Sequence, residues 1–448
     1  MSTALSVGLL VDTFPLVSET FVVRHAVGLL ADGHDVQVYA QRPAPADVPR
    51  HDEIAATGLA DRTTYVDPQL PPAAAYWEQP VRPLRGETWL PEALRPLRNW
   101  KRVAAALPAA ARCAARSPRA LFDVLDERHY RYQARSLSAL YRLDLLARHG
   151  RRHDIWHAHF GPTANTFRFV ARLWRAPLVV SFHGYDFTSY VASEGPGVYR
   201  DLFREVAAVV VSCEWAQERL AALGAPAARI YVIPSGLDTT AFSFRQRGPR
   251  GDGSVRVLTV ARLVPIKGIA DGIRAFAMAR RRLPGLRYSI VGDGPLRREL
   301  EDLARQLGVG RDIIFHGAAN GAVVRQHLDD ADLFMLPSTR LEGSEEVQGV
   351  VLHEAQASGL PVIATATGGV RQSIVDGGSG HLVAHDDPAG LAEVLVQLAG
   401  APERWPAMGR CGRHHVEANF DLQKINRRLV ELYEDLRDGP TSAAGAVA

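Results

Sequence analysis

Short apolar runs recur along this chain, and most are followed by a stretch with helical periodicity. The first run, at 7–11, leads into a segment where Ser18 is expected to cap a helix carrying Val22, Ala26, Leu29 and Leu30 on one face. Gly33 ends that helix, and Val36, Val38 and Ala40 then alternate as a second strand. Further strands are predicted at 155–159, 178–182, 206–212 and 230–233, and then at 255–261, 288–292, 313–316, 333–336, 362–365 and 381–383. Strands that alternate with helices and short loops form parallel sheets covered on both faces, so the fold class is α/β with two doubly wound, Rossmann-like domains in tandem.

The length of 448 residues supports more than one domain. The first domain is expected over 1–244, with an Ala/Arg/Leu-rich helical insertion at about 73–150. A Gly/Arg/Asp-rich stretch, 245–253, reads as the interdomain linker, and the second domain follows over 254–415. Residues 416–438 end in an amphipathic helix with Leu422, Ile425, Leu429, Leu432, Tyr433 and Leu436 on one stripe; the tail 439–448 is expected to be disordered. Apolar residues make up 47% and charged ones 23%, which excludes a disordered or collagen-like chain. Three cysteines, Cys113, Cys213 and Cys411, support neither a disulfide framework nor a cysteine metal site, so a reducing compartment is expected. The first apolar run has no basic leader and is interrupted by Asp12, and no run reaches the length of a membrane span. A cytoplasmic location is therefore expected.

Charge is unevenly placed. The segment from Arg82 to Arg152 holds 15 Arg and one Lys against six acidic residues, in a chain whose net charge is only +3. That asymmetry suggests a surface that meets an anion, and its Arg-rich helices, with Trp89 and Trp100, suggest peripheral contact with an anionic membrane at its inner face. A solvated flank with incidental charge is the plainer alternative. Only Lys101, Lys267 and Lys424 are lysine, so a lysine inside a motif is selected against the arginine background.

Ligands of open α/β sheets sit beyond the carboxyl ends of the strands. After the strand at 255–261, Arg262 and Lys267 put two cations in one strand-to-helix loop, where a phosphate or diphosphate would be held. After the strand at 333–336 come Glu346 and Glu354; in a continuous helix they would stand about 12 Å apart and about 80° apart in azimuth. They form no acid/base dyad, but could grip two separated hydroxyl-bearing parts of an extended ligand. His183 ends an apolar strand of the first domain, while His157 and His159 share one face of another. With His153 these invite a metal reading, but no carboxylate completes a ligand set, so core or cleft histidines are expected and no metal. Gly292-Asp-Gly294-Pro-Leu-Arg297 lacks the third glycine of a dinucleotide fingerprint, and Asp330 and Asp332 read as a turn and strand entry.

This constellation resembles a known family. Arg262 with Lys267, Val291-Gly-Asp-Gly-Pro295, Pro337-Ser338, the segment Glu346 to Glu354, Glu354-Ala-Gln-Ala-Ser-Gly-Leu-Pro-Val362 and Gly368-Gly369 look like the donor-binding half of family 4 retaining glycosyltransferases, which have the GT-B fold. Phe14-Pro-Leu-Val-Ser-Glu-Thr-Phe21, His157-Ala-His-Phe160, Ser181-Phe-His-Gly-Tyr-Asp186 and Ile233-Pro-Ser-Gly-Leu-Asp238 are similar to the same family, particularly its exopolysaccharide enzymes of the colanic-acid type. The resemblance covers all but the basic insertion. It implies transfer of a hexosyl group from a nucleoside-diphosphate sugar to a saccharide, polyprenyl-linked or natural-product acceptor, in the cleft between the domains. It further implies that Arg262 and Lys267 hold the diphosphate, Glu354 the ribose and Glu346 the transferred sugar, with His183 beside the reacting carbon and Gly292, Gly349 and Val350 lining the donor site. Neither a metal nor another cofactor is expected, nor a nucleic-acid partner. By the same resemblance the last helix crosses back onto the first domain. Arg371-Gln372 and Ser235 depart from the family pattern, which commonly has Pro-Glu and Asn there. Two rival readings share the architecture: a sugar-nucleotide epimerase and a non-catalytic sugar-nucleotide-binding module.

Overall fold

The computed structural model describes residues 4–16, 19–45, 54, 56–67, 96–341 and 344–439. The expected cap Ser18, the insertion segment with Trp89 and the tail beyond 439 lie outside the described residues.

Two all-parallel sheets carry the fold, as the repeated strand-helix pattern predicts. The first contains β1 (Ser6–Phe14), β2 (Asp35–Pro43), β3 (Thr63–Tyr65), β4 (Ile155–His159), β5 (Leu178–Ser181), β6 (Ala208–Val211) and β7 (Ile230–Val232), in the order β3-β2-β1-β4-β5-β6-β7. The second contains β8 (Val255–Val260), β9 (Leu286–Val291), β10 (Ile313–Gly317), β11 (Leu333–Leu336), β12 (Val362–Thr365) and β13 (Gly380–Val383), in the order β10-β9-β8-β11-β12-β13. The central strands β4, β5, β6, β11 and β12 are buried at every position, which is why they read as unbroken apolar runs. In each sheet the strand order reverses once, between β1 and β4 and between β8 and β11. Crevices at these two reversals are where such sheets receive ligands.

The last helix, Leu422–Asp438, follows the second sheet but packs on the first. Ile425, Leu429, Leu432 and Tyr433 join Leu5, Val7, Leu9 and Val36 in one buried cluster. The Arg-rich insertion is also built in. Its helices Pro96–Arg116, Pro118–Leu125, Glu127–Ser136 and Ser138–His149 bury Cys113, Leu140, Leu143 and Leu146 in the cluster that holds Trp156 of β4. Arg142 is fully buried against Asp67, and Arg112 makes a two-pronged contact with Asp144. Part of the charge excess thus neutralises carboxylates within the fold, Arg142 from a buried position and Arg112 from the surface.

The structure adds to or alters the sequence reading at four places. β3 was not foreseen, because three residues with two threonines carry no apolar signal. The helix Thr20–Ala31 buries Val22, Val23, His25, Ala26 and Leu29, so its inner face is turned toward His25 and leaves Leu30 only partly covered. The segment 245–253 is no free linker: the buried Arg247 donates to the carbonyls of Leu328, Asp329 and Ser358, and Arg250 pairs with Asp332. Glu346 and Glu354 do not share a helix, because Gly349 adopts φ 66° and the helix begins only at Val350.

Candidate functional site

At the reversal of the second sheet, β8 runs into Arg262 and the short turn Pro265–Lys267, and helix Ile269–Arg282 starts at Gly268 without a side-chain cap. The N–H of Asp271 turns back to the Gly268 carbonyl at 2.9 Å, which leaves those of Ile269 and Ala270 without a side-chain acceptor. Lys267 Nζ donates to Glu346 Oε2, which also accepts from Ser338 Oγ at 3.3 Å, just beyond β11. Burial alone would raise the Glu346 carboxyl, but Lys267, Ser338 and the positive charge of Arg262 outweigh it and hold the group below its ordinary value. Arg262 itself is exposed at the mouth.

Two glycines shape this mouth. Gly292 has φ 136°, and a Cβ there would stand 1.8 Å from the carbonyl oxygen of Ala261. Gly368 has φ 41°, and its N–H donates to Glu345 Oε2 at 2.6 Å while Gly369 N–H reaches Glu346 O at 3.1 Å. The Gly368-Gly369 pair thereby fixes the backbone that presents Glu346. Helix Val350–Ala357 begins at Gly349 with no side-chain cap; the N–H of Leu352 turns back to the Gly349 carbonyl at 2.8 Å, and those of Val350 and Val351 have no side-chain acceptor. One helical turn further, Glu354 is mostly covered. Its carboxyl is raised by burial and partly restored by Arg24 and Arg325.

Across from this half lies the reversal of the first sheet. His183 follows β5, and Asp186 organises its loop: the carboxylate accepts from the N–H groups of Gly161 at 3.1 Å, His183 at 3.0 Å and Gly184 at 2.9 Å. Burial raises Asp186 to about 6, with those three donors opposing the rise. His183 packs between Phe21 and Phe160, with ring centroids at 4.1 and 4.7 Å. Burial, with His25 adding to it, lowers its pKa to about 3, so it is neutral near pH 7. His159 Nδ1 lies 3.1 Å from His183 Nε2. His153, grouped with these in sequence, stands apart and bonds Ser6 Oγ and Tyr39 Oη instead. Among the described residues no group of three or more His, Cys, Asp and Glu side chains is placed to hold a metal ion.

The two halves touch at several points. The Gln348 side chain accepts from Ser235 N–H and donates to Ser235 O, both at 2.9 Å. Gln372 Oε1, at the departure from the family pattern, accepts from Glu214 N–H at 3.2 Å. Val347 packs where a Cβ on Gly184 would fall, so the backbone beside Glu346 abuts the loop of His183. The structure thus brings Lys267, Glu346, Gly349 and His183 to one cleft, with Arg262 and Gly292 at its edge and Glu354 one turn deeper. Sequence reasoning missed Arg24, Gln348 and Glu345. Arg24 carried no signal, Glu345 directly precedes the segment Glu346 to Glu354, and Gln348 sat unweighed inside it.

Comparison with known proteins bears on the family and the fold. Residues 108–241 match the family model described as Glycosyltransferase Family 4, and residues 242–414 match the model described as Glycosyl transferases group 1. The chain is 34% identical over 293 residues to the putative colanic acid biosynthesis glycosyltransferase WcaL of Escherichia coli K12, a match covering 64% of this chain and 71% of that protein. It is 31% identical over 299 residues to the GDP-mannose-dependent alpha-(1-6)-phosphatidylinositol monomannoside mannosyltransferase of Mycolicibacterium smegmatis, covering 64% and 78%. Among solved structures, Anabaena HepE in complex with UDP superposes with a TM-score of 0.65 at 16% identity, covering 96% of this chain and all of that one. At that identity the match speaks for the fold.

Proposed function

The chain belongs to the family 4 glycosyltransferases, and on that premise we propose that it moves a hexosyl group from a nucleoside-diphosphate sugar to a saccharide acceptor with retention of configuration and without a metal. The observation that carries this reading is the pairing of Lys267 with Glu346 beside two helix starts without side-chain caps, with Val347, next to Glu346, packed against the loop of His183. Breaking a glycosyl phosphate bond places negative charge on the departing diphosphate. Two fixed cations and oriented backbone N–H groups stabilise that charge as it develops.

In this account Arg262 and Lys267 hold the diphosphate, while Gly292, Gly349 and Val350 let backbone approach it. Glu354 takes the ribose hydroxyls and Glu346 a hydroxyl of the transferred sugar. His183 stands beside the reacting carbon. No carboxylate is assigned as a nucleophile, so the acceptor oxygen attacks from the face the diphosphate leaves; the bond from the anomeric carbon to the phosphate oxygen breaks as the new glycosidic bond forms. The acceptor's proton passes to the departing diphosphate. GDP-mannose is the donor named for one relative and colanic acid the polymer named for another, which supports a sugar nucleotide and polysaccharide assembly here.

A lipid-linked acceptor is favoured by one surface. Phe122, 73% exposed, shares a groove with Arg116 and Arg119 of the Arg-rich insertion and with Arg172 and Arg175 at the end of the adjoining helix, four cations against Asp123 and Asp126, which suits an anionic membrane. No helix among the described residues is long and apolar enough to cross one. Sedimentation with anionic and neutral vesicles at low and high salt tests this contact: salt-sensitive binding to anionic vesicles supports it, and no binding removes it.

The core reading is tested by incubating the protein with single sugar nucleotides and chelator, with and without oligosaccharide acceptors. Slow release of free sugar from one donor, accelerated transfer when acceptor is present and no loss with chelator are expected. Interconversion of the donor without sugar release would identify an epimerase, and binding without turnover a silent module; either result overturns the proposal.

A further inference from the structure

Behind His183 runs a single file of hydrogen bonds. His157 Nε2 meets Ser181 Oγ at 2.7 Å, and His157 Nδ1 meets the hydroxyl of Tyr433 on the crossing helix. That hydroxyl lies 3.0 Å from His25 Nε2; His25 Nδ1 lies 3.0 Å from His159 Nε2; and His159 Nδ1 lies 3.1 Å from His183 Nε2. All members behind His183 are buried, and burial keeps His25, His157 and His159 uncharged at neutral pH and the Tyr433 phenol protonated.

A neutral imidazole has one N–H and one lone pair, so each ring passes the direction of its bond to the next. Three proton arrangements satisfy all five links. If Ser181 donates to His157 and Tyr433 donates to His25, every bond runs from Ser181 toward His183 and no buried donor is left unpaired. If the direction reverses, the Ser181 hydroxyl proton is orphaned. If Tyr433 accepts from both neighbours, its own proton is orphaned. An orphaned buried donor biases the population by about tenfold or more, so the first arrangement prevails.

Building on the assignment of His183 beside the reacting sugar, we propose that Tyr433, His25 and His159 are positioning residues that commit His183 to accept at Nε2 and to offer Nδ1–H into the cleft. His183 then serves as a neutral hydrogen-bond donor to a sugar oxygen, and the helix that closes the fold helps set the proton inventory of the site.

Two-bond proton–nitrogen spectra of histidine-labelled protein, without ligand, read this directly, with the His183 signals assigned by their loss in His183→Gln. An Nδ1–H pattern at His183 is expected. In Tyr433→Phe, which removes one hydroxyl and keeps the ring, His25 loses the donor that commits it. The His183 pattern should then move toward Nε2–H, and kcat should fall about 3- to 10-fold while donor KM stays within about twofold. An Nε2–H pattern in the unaltered protein overturns the proposal whether or not the variant folds. So does a Tyr433→Phe protein with an unchanged pattern and unchanged kcat. The spectra need no donor, so absence of transferase activity alongside an Nδ1–H pattern would count against the functional reading alone.

Discussion

The guanidinium of Arg24, on the helix over the first sheet, stands 3.9 Å from the carboxylate of Glu354 in the second domain. A residue of one half thereby tunes a group assigned to hold donor in the other. Glu354 is raised by burial and lowered by Arg24, so loss of Arg24 lets it rise further. A raised carboxyl becomes protonated at higher pH and is a poorer acceptor for ribose hydroxyls. Arg24→Ala should therefore increase donor KM as pH falls, with the increase beginning at a higher pH than in the unaltered enzyme. Donor KM measured from pH 5 to pH 8 checks this, and parallel curves would remove Arg24 from the account.

Gly292 is predicted to tolerate no side chain. Its φ of 136° and the 1.8 Å approach of Ala261 O leave a methyl group nowhere to go without moving the strand-to-helix loop that carries Arg262. Gly292→Ala should weaken donor binding and cost about 1 to 3 kcal/mol in stability. Calorimetric titration with nucleotide, alongside urea unfolding, checks both effects; native values for each would show that the loop has room.

Much of the framework was legible because it rests on local physics. Strands β4, β11 and β12 fall where their apolar runs begin and end, and the last helix follows its leucine stripe. The loop holding Arg262 and Lys267 was legible for a similar reason: two cations following a strand are visible without tertiary structure. Misreadings arose where backbone or distance decides. Spacing alone leaves open whether one helix runs through Glu346 and Glu354, and the left-handed turn at Gly349 decides that it does not. Tyr433 was read as one more member of an apolar stripe, and its hydroxyl meets His25 across 408 positions of chain. No periodicity encodes such a pairing.

Stability should fall as pH drops below about 6.5. His25, His153, His157, His159, His183 and His353 all have folded-state pKa values lowered from 6.5, chiefly by burial. Unfolding restores ordinary values, so the unfolded chain binds the extra protons and stability held above pH 6.5 is lost as pH falls. Four buried carboxyls, Asp186 raised to about 6, Glu19 raised to about 7, and Glu205 and Glu354 raised as well, have the opposite sign, but they are four groups against six. His353 offers the cleanest test, since it stacks on Phe420 with neither ring nitrogen partnered. His353→Leu should stabilise by about 1 kcal/mol at pH 7.5. The gain should grow at pH 5.5, as urea unfolding at both values would reveal; an equal effect at the two values contradicts the assignment.

Gln348 ties the halves together through both the N–H and the carbonyl of Ser235. Gln348→Ala removes both bonds while leaving the cations and glutamates in place. It should lower kcat about 3- to 10-fold with little change in the nucleotide Kd, because closure is weakened and the donor half is intact. A large loss of nucleotide affinity with kcat retained would place Gln348 in the donor site instead.

The central claim is that Arg262 and Lys267 grip a diphosphate. Titration calorimetry of UDP and GDP into the unaltered protein, Arg262→Ala and Lys267→Ala tests it most directly. At least one nucleotide should bind the unaltered protein, and each substitution should weaken it by about tenfold or more, the loss of one charge-assisted contact. Equal affinity in all three proteins would contradict the account.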